Sequence, residues 1–197
     1  GCFWDRVHRA RQCADDSQQH PLDVLVACIS LSYWLIRPTF DSKVLGKDHL
    51  DVAQTTSQIA DVLQQQKKWD EAYTMHAETL RIQAMHLGAH HEEVGLTFAA
   101  MAHVLKRQGK LGESISHFDK ALAIAVDVHG HEDNRIGELL NALAVVHKQA
   151  GHLADAYALS EQAFGIVGPH HPAAAAMLTN MAVIREGKVN ERRRQNC

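Results

Sequence analysis

Histidine is the residue type in this chain with the most obvious chemical potential. The 197-residue sequence contains 15 histidines. An imidazole can bind zinc or transfer a proton near neutral pH, so this count raises the question of a metal site or a catalytic centre. Two groups are candidate metal ligands because their members lie close together along the chain: His86 with His90 and His91, and His129 with His131.

The cysteines and acidic residues do not complete either group. The four cysteines stand at positions 2, 13, 28 and 197 and form no CxxC pair, which argues against a zinc ribbon and against a disulfide framework. No cysteine or acidic residue recurs beside the histidines at a matching spacing. We therefore expect reduced thiols, a cytoplasmic location and no cofactor, and a histidine-based metal-binding protein stays a remote alternative.

The sequence also lacks the signatures of common enzymes. It contains no GxSxG elbow, no HExxH, no GxxxxGK phosphate loop and no dinucleotide fingerprint. The segment KRQGK at 106–110 is typical of a helix end, where the helix dipole favours basic residues, rather than of a nucleotide loop. We expect a protein without enzymatic activity.

Composition indicates a helical protein with a small excess of negative charge. Lys and Arg number 20 against 23 Asp and Glu, which argues against a nucleic-acid partner. With 12 Gly and four Pro the chain favours helices over many short strands. The longest apolar run, at 24–36, is 13 residues long, short of the roughly 20 needed for a membrane span.

The sequence repeats itself with a period close to 42 residues. Four glycines mark the starts of units at spacings of 42, 42 and 38 residues: Gly46, Gly88, Gly130 and Gly168. An alanine stands fourteen residues after each of them: Ala60, Ala102, Ala144 and Ala182. A fixed period of this length is typical of solenoid proteins, in which each unit stacks on its neighbours to bury its apolar side chains.

Apolar side chains within a unit follow the helical period. In the second unit they recur at i, i+4, i+7, i+8 and i+11 from Val94 to Leu105, on one face of a helix. A second stripe follows Gly109, a residue suited to the left-handed end of a helix. Each unit is therefore predicted to be an antiparallel helix hairpin, with the recurring alanine where two helices approach closely. The predicted fold is an all-α solenoid with units near 46–87, 88–129, 130–167 and, in part, 168–187.

Short motifs add a family resemblance over about 44–187. LGKDHLDVAQ at 45–54 resembles the LGxxHPxVA signature of kinesin light chains and related proteins, and WDEA at 69–72 resembles their YxEA. The family's His-Pro is kept in these units at 171–172, and its paired asparagines are present singly, as Asn141 and Asn180. The chain thus resembles tetratricopeptide repeats of the 42-residue, kinesin-light-chain-like type. The resemblance implies a right-handed superhelix in which the first helix of each unit lines a concave groove for a partner protein.

Position in the repeat accounts for much of the histidine count. The residue three positions after the unit glycine is histidine in three units and Asp133 in the third. Because aspartate is a strong helix N-cap, this interchange predicts that the histidines cap the first helices of their units. Seven of the 15 histidines fall in these turns: His49, His90, His91, His129, His131, His170 and His171.

The two ends of the chain depart from the repeat. Residues 1–43 contain a decayed unit start interrupted by Pro38, and we expect one apolar helix around 24–36 or an irregular leader. Residues 188–197 are rich in arginine, and we expect a disordered basic tail rather than a nucleic-acid arm. The chain is expected to be a fragment of a longer protein.

The predicted binding site lies on the first helices of the second, third and fourth units. Its cations would attract acidic groups, and its amides would hydrogen-bond an extended peptide backbone. We therefore expect a protein-interaction scaffold that binds a short acidic or aromatic-acidic peptide, as the resemblance to cargo recognition by kinesin light chains implies. The alternatives are an oligomerisation module, in which 24–36 covers a second copy, and a regulatory module of a larger signalling protein. The candidate residues are His103, Lys106, Arg107, Asn141, Lys148 and Asn180.

Overall fold

The structure, a computed structural model, describes residues 46–195, with side chains described as far as Gly187. The chain divides into two compact units, 1–55 and 56–197, and of the first only 46–55 is described. No strand occurs within 46–195. The helices of this range are α1 Leu50–Gln65, α2 Trp69–Leu87, α3 Glu92–Arg107, α4 Leu111–His129, α5 Asn134–Gln149, α6 Leu153–Val167 and α7 Ala174–Gln195.

Helices within residues 56–195 pack as stacked hairpins. Each helix from α2 to α6 contacts the next one along the chain, and α5 also contacts α7. Between α1 and α2 the side-chain oxygens of Thr56 and Thr79 are 2.8 Å apart. Contacts between neighbours in sequence, without long crossovers, are what a solenoid requires, because each unit buries its apolar face on the next. The arrangement confirms the predicted all-α solenoid.

A residue in the left-handed backbone conformation follows the first helix of each hairpin. Gly109 has a φ of 80° and Gly151 a φ of 85°, values that glycine adopts without steric cost. In the first hairpin Lys67 takes this conformation, with a φ of 60°. The amide of Lys110 donates to the backbone oxygen of Leu105 at 3.0 Å, so the last carbonyls of α3 are satisfied within the turn.

The recurring alanine is buried only where a second helix follows in the same unit. Ala60, Ala102 and Ala144 are completely buried. Ala182, at the same position of the last unit, is exposed. Its helix does not turn back after the expected interval, because Val189 stands where the earlier units have a glycine or a lysine in the left-handed conformation.

Helix α7 corrects the expectation of a disordered tail beginning at residue 188. The helix continues without a break to Gln195, so the arginine-rich stretch up to that residue is helical. The predicted apolar helix around 24–36 lies outside the described residues. No helix in the described part of the chain is both long and apolar enough to span a membrane.

Candidate functional site

The histidines at the starts of the units cap helices. The Nδ1 atom of His91 accepts a hydrogen bond from the amide of Glu93 at 3.2 Å, at the beginning of α3. Asp133 does the same for α5, where its carboxylate accepts from the amide of Arg135 at 2.9 Å. His49 and His171 accept from the amides two residues further on, each at 3.2 Å. The predicted capping role is confirmed.

Two of the candidate metal ligands, His90 and His129, lie beside carboxylates. The Nδ1 atom of His90 lies 3.4 Å from a carboxylate oxygen of Asp127. The Nε2 atom of His129 lies 3.0 Å from Glu92, which also accepts from Arg135 at 2.7 Å. Within the described residues, neither predicted group, His86 with His90 and His91 or His129 with His131, forms a three-ligand cluster.

The C-terminal half of α3 carries three of the predicted groove residues. The ring of His103 meets Phe118 of α4 edge-on, with the centroids 5.0 Å apart, while water reaches it from the other side. Its enclosure by the protein and the positive charges of Lys106 and Arg107 lower the pKa of His103 to about 4, so the imidazole is neutral at pH 7. Burial and the charge of Arg107 lower the pKa of Lys106. Neither cation has an ion-pair partner among the residues described.

The other three predicted residues form a hydrogen-bonded chain between α5 and α7. The ammonium of Lys148 donates to Asn180 Oδ1 at 3.0 Å, and the Asn180 amide nitrogen donates to Asn141 Oδ1 at 3.1 Å. All three side chains are partly buried. Several donors are not used within this chain of bonds: two on Lys148, one on Asn180 and both of Asn141. The surface presents hydrogen-bond donors in excess of acceptors.

An apolar cleft of about 210 Å³ opens between α3, α4 and α5. Glu92, which forms ion pairs with His129 and Arg135, lines the cleft, and so does His103. Through His103 the cleft adjoins the cations Lys106 and Arg107 of α3. Leu96 is 56% exposed there and contributes apolar surface that water can reach. The apolar lining comprises Leu96, Ala99, Ala121, Ile124, Ala125, Leu139 and Ala142.

Sequence analysis missed one group of side chains. In the described part of the chain, the three residues whose ligand atoms come together are His147, His152 and Asp155, at the turn between α5 and α6. Their spacing, HxxxxHxxD, could have revealed them, because the turn of a helix hairpin brings the two sides of Gly151 together.

The fold defines the class of protein: a solenoid of stacked helix hairpins. Family models described as tetratricopeptide repeat match residues 52–93 and 93–167, which together span 52–167. The chain belongs to the tetratricopeptide-repeat proteins. A comparison with curated proteins finds no matching relative.

Many solved structures have a similar fold. BtubC (BKLC) from P. vanneervenii is 19% identical with a TM-score of 0.72, and the match covers 97% of this chain and 83% of that one. The nearly identical TPR-like repeats of a Podosopora anserina protein described as a kinesin light chain are 17% identical with a TM-score of 0.73, over 98% and 90% of the two chains. The fold is therefore like that of kinesin light chain repeats. It is the fold of a protein-interaction scaffold, of a type that is typically non-catalytic.

Proposed function

We propose that this chain binds a short acidic peptide of a partner protein on the surface formed by α3, α5 and α7. The observation that carries the proposal is the pair of cations Lys106 and Arg107, adjacent in sequence and without an ion-pair partner among the residues described. Their mutual repulsion and the partial burial of Lys106 disfavour its charged form, as the lowered pKa of that residue reflects. A carboxylate bound here offsets both costs, because opposite charges attract more strongly where water is partly excluded.

The hydrogen-bonded chain Asn141, Asn180 and Lys148 supports binding of the peptide backbone. Lys148 and Asn180 hold one another across α5 and α7, so their remaining donors are fixed in position before a ligand arrives. Fixed donors lose less conformational entropy on binding than free ones do. Backbone carbonyls of an extended peptide are suitable acceptors for them.

The cleft between α3, α4 and α5 supports an apolar contact beside the acidic one. Leu96 and Leu139 offer apolar surface there, and His103 connects the cleft to the cations of α3. An apolar side chain of the peptide that enters the cleft would remove exposed Leu96 surface from water. An adaptor role, in which the peptide belongs to a protein that this chain links to another, is part of the proposal. It rests on the similarity of fold to the kinesin light chain repeats.

Fluorescence anisotropy with a labelled peptide of alternating Glu and Ser tests the proposal. A matched peptide with Gln in place of Glu measures the contribution of charge. The chain should bind the acidic peptide at least about tenfold more tightly, with an affinity that falls as salt is added. The triple variant Lys106→Glu, Arg107→Glu and Lys148→Glu should lose that preference.

A control variant with the same change in net charge separates local recognition from general attraction. Lys68, Lys110 and Lys120 are exposed and lie outside the proposed surface, and all three are changed to Glu. This variant should keep most of the affinity for the acidic peptide. Equal weakening by both triple variants, or equal binding of the acidic and neutral peptides, contradicts the proposal. Affinity capture with the wild type and with the Lys106→Glu, Arg107→Glu, Lys148→Glu variant, followed by mass spectrometry, then identifies the partner.

A further inference from the structure

Two imidazoles and a carboxylate meet at the turn between α5 and α6. The ring centroids of His147 and His152 are 5.6 Å apart, and His147 Nδ1 is 4.0 Å from a carboxylate oxygen of Asp155. One ligand atom from each of the three residues lies within 4.8 Å of the other two. His147 is largely buried, whereas His152 and Asp155 are exposed and free to adjust.

The backbone of the turn holds the two histidines in place. The amide of His152 donates to the carbonyl oxygen of His147 at 2.9 Å, across Gly151 in its left-handed conformation. Helix α6 starts at once afterwards, with the amide of Ala156 bonded to His152 O at 3.0 Å. Asp155 therefore stands in the first turn of α6, on a rigid element next to the imidazoles. A ligand set placed on helix ends in this way needs little rearrangement to bind an ion.

The other hairpins have the same turn without the two imidazoles. Leu105 occupies the position of His147 and is 1% exposed, and its carbonyl accepts from Lys110 in the same way at 3.0 Å. Lys110 and Glu113 stand where the third hairpin has His152 and Asp155. The complete set of three ligands thus occurs in the third hairpin, although the other hairpins have the same backbone conformation at this turn.

A buried nitrogen of His147 destabilises the folded protein, and a bound cation would remove that destabilisation. Its Nδ1 atom is buried and has no hydrogen-bond partner. A buried polar atom without a partner destabilises the folded protein, and an apolar side chain such as leucine fits the same position elsewhere in the array. The unpaired nitrogen faces the carboxylate of Asp155 and is an available lone pair when the imidazole is neutral and protonated on Nε2.

We propose that His147, His152 and Asp155 bind a divalent transition-metal ion, with Zn²⁺ as the first candidate. Two imidazole nitrogens and one carboxylate oxygen suit Zn²⁺, and water completes a tetrahedral site. Ligand atoms around tetrahedral zinc are about 3.3 Å apart, given bonds of about 2.0 Å. Rotation of the exposed His152 and Asp155 side chains brings their ligand atoms from the present separations to that distance, while buried His147 anchors the site.

Isothermal titration of the full chain with ZnCl₂ tests the site, with two variants taken from the second hairpin. His147→Leu and His152→Lys each install the residue that the same turn already carries at Leu105 and Lys110, so both are expected to fold. Circular dichroism and a thermal melt check this before titration. The double variant His90→Ala with His170→Ala is the control for histidines elsewhere on the surface, because both side chains are exposed.

The wild type and the control should bind one equivalent of Zn²⁺ with a dissociation constant of about micromolar or lower. His147→Leu and His152→Lys should each bind it at least about tenfold more weakly, which corresponds to about 1.4 kcal/mol. Cobalt substitution should give the visible absorption bands of tetrahedral Co²⁺ in the wild type and not in His147→Leu. Undiminished stoichiometric binding by His147→Leu, or no binding by the wild type at ten micromolar zinc, overturns the proposal.

Discussion

The hydroxyl of Ser114 donates to the backbone oxygen of Ala102 at 2.8 Å, and both residues are completely buried. The bond joins α3 to α4 at the position where alanine recurs in every unit. A carbonyl of a helix can accept a second bond from outside only if no large side chain covers it. The small side chain of Ala102 thus leaves its backbone oxygen accessible to Ser114.

Enlarging Ala102 should destabilise the hairpin. Ala102→Leu is expected to lower the free energy of unfolding by about 1–3 kcal/mol, because the added carbons have no space and displace Ser114. Ala182→Leu is the matched control: it stands at the same repeat position but is exposed, and should change stability by less than about 0.5 kcal/mol. Urea denaturation followed by circular dichroism measures both. Equal destabilisation by the two substitutions would show that the position, rather than its burial, matters.

The capping histidine of α3 should contribute measurably to stability. His91→Ala removes the acceptor for the Glu93 amide and is expected to cost about 0.5–2 kcal/mol in the free energy of unfolding. His91→Asp, which copies Asp133, should recover most of that loss because a carboxylate accepts the same bond. Urea denaturation at pH 7.5 compares the three proteins. A stability of His91→Asp no better than that of His91→Ala would contradict a capping role.

Features repeated along the chain could be predicted from the sequence. The hairpins follow from apolar residues at helical spacing, and the caps follow from His and Asp exchanging at one repeat position, as at His91 and Asp133. Both signals are local, since a helix and its cap are formed by residues a few positions apart. Repetition then multiplies each signal, and this is why the hairpins, their turns and the buried alanines of the first three units agree with the structure.

Features that depend on distance in space could not be predicted in the same way. Asn141 and Asn180 are separated by 39 positions, and their hydrogen bond depends on how α7 lies against α5. Likewise the exposure of Ala182 depends on the absence, within the described range, of a helix that turns back on α7. The cluster at His147 was missed for another reason: His147 occupies a core position of the repeat, where the pattern indicates an apolar residue.

Two helical glycines should respond to alanine in opposite directions. A Cβ on Gly137 would collide with the side chain of Val167 and lie 3.1 Å from the backbone oxygen of Ala163, so α5 and α6 would have to move apart. Gly165 of α6 has open space around it. We expect Gly137→Ala to lower the free energy of unfolding by about 1–3 kcal/mol, and Gly165→Ala to raise it by about 0.5–1 kcal/mol through helix propensity. Thermal melts of the two variants give the signs directly, and a stabilised Gly137→Ala protein would rule out the close helix contact.

Acidification should weaken the fold through His103. The pKa of this imidazole is lowered to about 4 in the folded chain from 6.5, chiefly by its enclosure and then by Lys106 and Arg107. Between these two values the unfolded chain binds a proton that the folded chain does not, so stability falls as the pH drops from about 6.5 to about 4. The penalty is absent above pH 6.5 and constant below pH 4.

The variant His103→Gln cannot take up that proton and should therefore lose less stability between pH 7 and pH 4.5 than the wild type. Buried His76 contributes a change of the same sign, because burial lowers its pKa too, so part of the acid sensitivity should remain. His170→Gln, at an exposed turn residue, is the control and should follow the wild type. The urea midpoint at each pH is the measurement. Parallel pH profiles for His103→Gln and the wild type would mean that water keeps the pKa of the His103 ring close to its ordinary value. That result would contradict the lowered pKa of His103 beside the two cations.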